Sequence, residues 1–106
     1  MQEEKCLVKC HATHPGEVLR EEFMADYGIS VAQLAKRLLV SRQSVSELVH
    51  ERRSVSSDMA LRLGKFFGTT PQYWLNLQRN VDLWESLSLN SKTIEDIEPL
   101  EELAFG

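Results

Sequence analysis

Cysteine is nearly absent from this chain. There are two in 106 residues, Cys6 and Cys10, both within the first ten positions. Two thiols can close only one bridge, so a disulfide framework does not hold the fold. Long apolar runs are missing as well. None approaches the ~18 residues a membrane helix needs, and the N-terminus is too polar for a secretory signal, so a cytoplasmic protein with no membrane partner is expected. The signatures of catalysis are lacking too: no glycine-rich phosphate loop, no pair of metal ligands on a helix, no nucleophile beside its base. His11, His14 and His50 have no activating partner visible in sequence. An enzyme is therefore not expected, and neither are catalytic residues or a cofactor. Cys6, Cys10, His11 and His14 invite a zinc reading, but four-ligand sites usually draw paired ligands from two separated segments. Here all four crowd one short arm, with Cys10 and His11 adjacent, and no metal site is assigned.

An excess of positive charge is also lacking, since the formal net charge is −4. Its distribution says more than its sum. Residues 36–65 hold seven basic side chains (Lys36, Arg37, Arg42, Arg52, Arg53, Arg62, Lys65) and three acids (Glu47, Glu51, Asp58), a segment of +4. From Asp82 onward seven acids face Lys92 alone, giving −6. A basic middle and an acidic end suggest two faces with different partners.

What is present is the punctuation of short helices, with no strand-like alternation of any length before residue 90. The length suits one domain with a modest core. Residues 1–13 read as an arm, 14–87 as the folded domain and 88–106 as an acidic tail. The first helix is expected from Pro15 or Gly16, where proline's missing N–H costs nothing, to Gly28 as C-cap. Val18, Leu19 and Phe23 lie on its apolar side. Ser30 and Gln33 form a capping box, followed by Val31, Leu34, Ala35 and Leu38 facing inward. Ser41 caps a third helix with Val45, Leu48 and Val49 buried. Ser56 or Ser57 opens a fourth, with Ala60, Leu63 and Phe67 inward, ended by Gly68. Thr70 and Pro71 open a fifth, whose apolar stripe Trp74, Leu77, Val81, Trp84 and Leu87 is wider than one side of a helix usually needs. Most of it is core, and the excess points to a homodimer interface. After Ser88 the pattern loosens, although Ile94, Ile97, Leu100 and Leu103 keep a three-residue spacing. Pro99 interrupts any long helix there. The expected fold is all-α, with five helices and a short C-terminal extension.

The informative unit is the pair of helices at 30–39 and 41–49, with almost nothing between them. Ala35 allows their close crossing, and the first turn of the second helix stays free to enter a major groove. That turn offers Arg42 and Gln43, with Glu47 one turn on. Gln43 can bond bidentately to adenine, and Arg42 to guanine or a phosphate. Glu47 can accept from cytosine or screen a neighbouring arginine. Ser41 and Ser44 suit phosphate as well as capping. Arg52, Arg53 and Ser54 in the following loop are assigned to the phosphate backbone.

These residues also carry a family resemblance. His14-Pro15-Gly16-Glu17-Val18-Leu19, Leu34-Ala35, Ser41-Arg42-Gln43-Ser44-Val45-Ser46 and Thr70-Pro71-Gln72-Tyr73-Trp74-Leu75-Asn76-Leu77-Gln78 resemble the XRE-type, lambda-repressor-like helix-turn-helix proteins, specifically the HigA antitoxin group, also called virulence-associated protein I. About two-thirds of the chain is covered, excluding the arm and the tail. The resemblance implies a dimer that represses its own operon at a palindromic double-stranded operator and neutralises a HigB-like mRNA-cleaving toxin. One departure stands out: His50-Glu51 replaces the family's usual Asn-Gly after the recognition helix, and glutamate does not substitute cheaply for glycine. A stand-alone repressor without a toxin shares every DNA-side feature. RNA binding is disfavoured, because the aromatics sit on apolar helical stripes rather than among basic residues.

Overall fold

Each helix among the described residues starts where a side chain can satisfy its first free N–H groups. The computed structural model describes residues 12–100, which contain five helices and no strand. The expected calls on Cys6, Cys10, His11 and Leu103 lie outside the described residues. Helix α1 runs from Pro15 to Tyr27 in three stretches: α-helical Pro15–Val18, π-helical Leu19–Met24 and α-helical Ala25–Tyr27. Its cap is His14, whose Nδ1 accepts the Gly16 N–H at 2.9 Å. The π-helical stretch was not legible in the apolar spacing. It brings Leu19 and Met24, five residues apart, into the core together, which a wider turn allows better than an α-helix does. Gly28 ends the helix at φ 63°.

Helices α2 (Val31–Leu38) and α3 (Arg42–Val49) follow the expected caps. Gln33 N–H donates to Ser30 Oγ at 3.1 Å and Ser30 N–H to Gln33 Oε1 at 2.9 Å, completing the capping box. Ser41 Oγ accepts the Ser44 N–H at 3.1 Å. Helix α4 (Ser57–Phe67) is capped by Ser56, and α5 (Pro71–Glu95) by Thr70 with Pro71 in its first turn. The fifth helix is longer than its apolar stripe. It continues through 88–95, with a break in helical geometry at Asn90, because that stretch loses apolar periodicity but contains no glycine or proline.

The core gathers Leu19, Leu34, Ala35, Leu38, Val45, Leu48, Val49, Met59, Ala60, Leu63 and Trp74. Each fully covered leucine contributes about 1.5–3 kcal/mol relative to exposure. Val31 and Phe67 are only half-buried at its edge. Trp74 is fully buried, and its indole N–H donates to Thr69 Oγ1 at 2.8 Å, so the ring enters the core without an orphaned donor. The start of α1 rests directly on the end of α3. A Cβ at Gly16 would stand 1.8 Å from the Leu48 carbonyl oxygen, so only glycine allows this approach. That contact fixes where α3 sits.

Candidate nucleic-acid interface

Two arginines from outside the pair hold the ends of the α2–α3 unit. Leu39 ends α2 in the left-handed region at φ 61°, leaving carbonyls there without helical partners. Arg62 of α4 fills that need, donating through Nη1 to the Leu38 and Leu39 carbonyls at 2.7 and 3.2 Å. Its Nε donates to Asp58 at 2.8 Å. At the other end of α3, Arg20 of α1 donates through Nη1 to the Val49 carbonyl. Its Nη2 lies 3.5 Å from Glu51, the residue that takes φ 62° in the exit turn. The left-handed residue is thus Glu51, while His50 keeps φ −93° and turns its Nδ1 to the Ser46 carbonyl at 2.7 Å. Left-handed backbone costs a non-glycine residue ~1–2 kcal/mol, and the Arg20 contact offsets part of it.

The first turn of α3 is open to solvent, with Ser41, Arg42 and Gln43 exposed. Behind it lies a connected polar strip. Gln43 Nε2 donates to Glu47 Oε2 at 3.0 Å, and Arg53 donates to Glu47 Oε1 through Nη2 at 2.8 Å and Nε at 3.1 Å. Arg53 Nη1 reaches Ser44 Oγ at 3.3 Å, and Ser41 Oγ–H donates to the same oxygen at 2.9 Å. The Gln43 hydrogen bond, then Arg53, hold the Glu47 carboxyl below the usual range. Both Glu47 oxygens are therefore occupied in the free protein. Of its two expected roles, screening an arginine is the one the geometry displays. The Arg53 side chain folds back onto α3, whereas the side chains of Arg42 and Arg52 make no hydrogen bond or ion pair among the described residues and remain available to a ligand. Ser54 is exposed beside them.

The loop's exit is fixed from below. Val55 N–H donates to Gln78 Oε1 at 2.9 Å, and Gln78 Nε2 donates to Asp82 at 3.0 Å. Gln78 is buried on α5 and acts only through that loop. It was hidden from sequence reasoning by the apolar stripe around it. Arg20 and Arg62 were equally invisible, since nothing local marks an arginine whose partner carbonyl is 29 or 24 residues away.

The expected dimer residues divide. Trp74 is fully covered within the protomer and Val81 is 7% exposed, so neither has surface left to give a partner. This corrects their assignment: their ring and methyl groups complete the protomer's own core. Leu77 and Trp84 are half-buried, and Leu87 is 55% exposed. Leu83 and Leu89 add exposed apolar surface along the same helix. Among the described residues no group of three or more His, Cys, Asp or Glu side chains could hold a metal ion, and no helix is long and apolar enough to cross a membrane.

Comparison with known proteins matches residues 19–74 to a helix-turn-helix family model, HTH_3. The chain is 49% identical over 72 residues to virulence-associated protein I of Dichelobacter nodosus, covering 68% of this chain and 67% of that one. It is 41% identical over 92 residues to the HTH-type transcriptional regulator YbaQ of Escherichia coli K12, covering 87% of this chain and 80% of that one. Among solved structures it is similar to the Pseudomonas aeruginosa antitoxin HigA with the higBA promoter. The TM-score is 0.82 at 46% identity, covering 85% of this chain and 99% of that one.

Proposed function

The chain belongs to the HTH_3 helix-turn-helix family, in the branch that includes HigA antitoxins and virulence-associated protein I, and from that premise we propose that it is a DNA-binding antitoxin that represses its own operon. The role is one of binding rather than catalysis, exercised in the cytoplasm. The observation that carries the reading is the exposed first turn of α3, where Arg42 and Gln43 stand clear while Arg52 waits in the loop beyond. Arg42 and Gln43 read base edges in a major groove, with Glu47 and Arg53 setting the reach of Gln43. Arg52, Ser41, Ser44 and Ser54 meet phosphates.

Binding is as a homodimer. Beyond Val81 no described residue of α5 is buried, and Leu83 and Leu87 lie on this projecting half. A helical segment of that length is marginal in water on its own, so a second copy covers it. The two recognition helices then stand ~34 Å apart on a palindromic operator. The acidic segment from Asp82 would repel phosphates. With acidic α1 it gives a basic HigB-like toxin its complementary field.

Two measurements test this. Fluorescence anisotropy with DNA from upstream of its own reading frame is expected to give binding well above random sequence. Co-expression with the neighbouring small reading frame is expected to relieve that product's toxicity. DNA binding without any toxic neighbour would support the second reading, a stand-alone repressor, which the likeness to YbaQ favours.

A further inference from the structure

A groove of about 590 Å³ opens between the end of α2 and α4. Leu38, Leu39, Leu61 and Phe66 supply its apolar surface. Leu39 is 82% exposed and Leu61 59%, so much of that surface is uncovered in a lone protomer. The charged side chains lining the groove are Asp58, Arg37, Arg62 and Lys65. Asp58 is neutralised by Arg62, whose Nε donates to it at 2.8 Å. The same guanidinium is otherwise spent on the Leu38 and Leu39 carbonyls. Arg37 lies over the Phe66 ring, 5.0 Å from its centroid, and Lys65 directly precedes Phe66. Neither Arg37 nor Lys65 makes a hydrogen bond or ion pair among the described residues. The lining therefore sets two uncompensated cations beside exposed leucines. It suits a ligand that is acidic and apolar at once. A duplex backbone would answer the cations and leave the leucines wet.

The chain carries such a ligand itself. Residues 95–103 hold Glu95, Asp96, Glu98, Glu101 and Glu102 without a cation, interleaved with Ile97, Leu100 and Leu103. Ile97 and Leu100 are exposed, as the leucines of the groove are. Reach decides whose groove they can enter. Helix α5 starts where Thr69, Thr70 and Pro71 crowd Gly64, and it passes Val55 at Gln78, so it runs back along α4. It then carries Glu95 ~25 Å beyond Gln78, in keeping with a long axis of 54 Å for the described residues. Leu61 and Lys65 lie ~9–15 Å from Val55 in the opposite direction. Fully extended, residues 96–103 span at most ~28 Å, too short to return to their own groove.

We propose that the groove receives residues 96–103 of a second copy of this chain, so that the tails of the homodimer cross. The inference rests on the homodimer reading above. In a two-fold pair whose projecting helices run antiparallel, Glu95 of one copy comes level with Val81 of the other. The groove then lies ~15–20 Å on, a distance that ~5–6 extended residues cover. Leu100 and Leu103 seat against Leu39, Leu61 and Phe66, while Glu98, Glu101 and Glu102 face Arg37 and Lys65. Pro99 keeps the segment from continuing as helix.

The test mixes two full-length variants. One reverses the groove (Arg37→Glu with Lys65→Glu) and the other reverses the tail (Glu98→Lys with Glu101→Lys). Arg37, Lys65 and Glu98 are exposed and far from the core, so the fold tolerates their reversal. Sedimentation at low salt is expected to show each variant alone dimerising at least ~5-fold more weakly than the unaltered chain. Their mixture is expected to form heterodimers of nearly unaltered affinity, because each groove then meets a tail of opposite charge. Unaltered dimerisation by each variant alone, or a mixture no tighter than its components, overturns the proposal and leaves the homodimer standing. Weaker operator binding by the groove variant with dimerisation intact marks the groove as a DNA contact and also overturns it. An unaltered chain that sediments as a monomer overturns the homodimer and the crossed tails together.

Discussion

Arg20 in the first helix donates a hydrogen bond to the carbonyl of Val49, the last residue of the recognition helix. The contact places a cation at the negative end of that helix and ties it to the exit turn through Glu51. Replacing Arg20 by Met is expected to cost about 1–2 kcal/mol of stability, the worth of a charge-assisted hydrogen bond to a partly exposed carbonyl. Urea denaturation reads this directly. A midpoint equal to that of the unaltered protein would mean that water serves the carbonyl as well.

Gln43→Ala is expected to lose ~1–3 kcal/mol at one operator base pair and to relax specificity there. Competition between operator and single-site variants measures it. Equal weakening on operator and random DNA would assign Gln43 to the backbone instead.

The two loop arginines should behave differently, because Arg53 is held by Glu47 and Arg52 is not. Arg52→Ala is expected to weaken all DNA alike and reduce the log–log salt slope by about one. Arg53→Ala leaves Glu47 held by Gln43 alone, so the strip behind Gln43 loosens and discrimination between operator variants changes as well. Identical profiles for the two variants would contradict this division.

The close approach of α1 to α3 predicts a contrast between two glycines. Gly16→Ala drives a methyl into the Leu48 carbonyl and is expected to cost several kcal/mol or prevent folding. Gly28 is left-handed but has open space around its Cβ position, so Gly28→Ala costs only ~1–2 kcal/mol of backbone strain. Thermal melts that rank the two in the opposite order would refute the packing argument.

Burial holds the His14 pKa below its ordinary value, against the pull of Glu51, Glu85 and Asp82 and with slight help from Arg20. The folded chain therefore binds fewer protons at this position than the unfolded one, and stability rises with pH. The contribution is complete above the unfolded value of about 6.5 and is lost as pH falls through the lower folded value. Protonation of Nδ1 also removes the acceptor for the Gly16 N–H. His14→Asn keeps a cap without a titrating group. Its thermal midpoint should vary less than that of the unaltered protein between about pH 7 and pH 5. Parallel profiles would place the titration elsewhere.

Much of this architecture was legible in the sequence because its signals are local. Ser30 with Gln33, Ser41, Ser56 and Thr70 with Pro71 each mark a helix start within four residues, and Leu34, Ala35, Val45 and Leu48 mark the packed face by period alone. The features that escaped depend on distant partners. Arg20 and Arg62 act on carbonyls of other helices, Gln78 on the Val55 N–H, and Trp74 is core rather than interface because Phe23 and Phe67 cover it. Periodicity identifies an apolar face but not what stands opposite it. The π-helical stretch escaped for the same reason, since Leu19 and Met24 fit no α-helical spacing.

Burial divides α5 at Val81 into a root and a spar, and the helical geometry breaks within the spar at Asn90. The root, through Val81, is welded to the domain by Trp74 and Gln78, while no described residue of the spar beyond it is buried. On the proposed homodimer, reading a sequence falls to α3 and choosing a companion to the spar of α5, so the two tasks are written on separate helices. Spars could be exchanged between such chains to re-pair them without redesigning the part that recognises DNA.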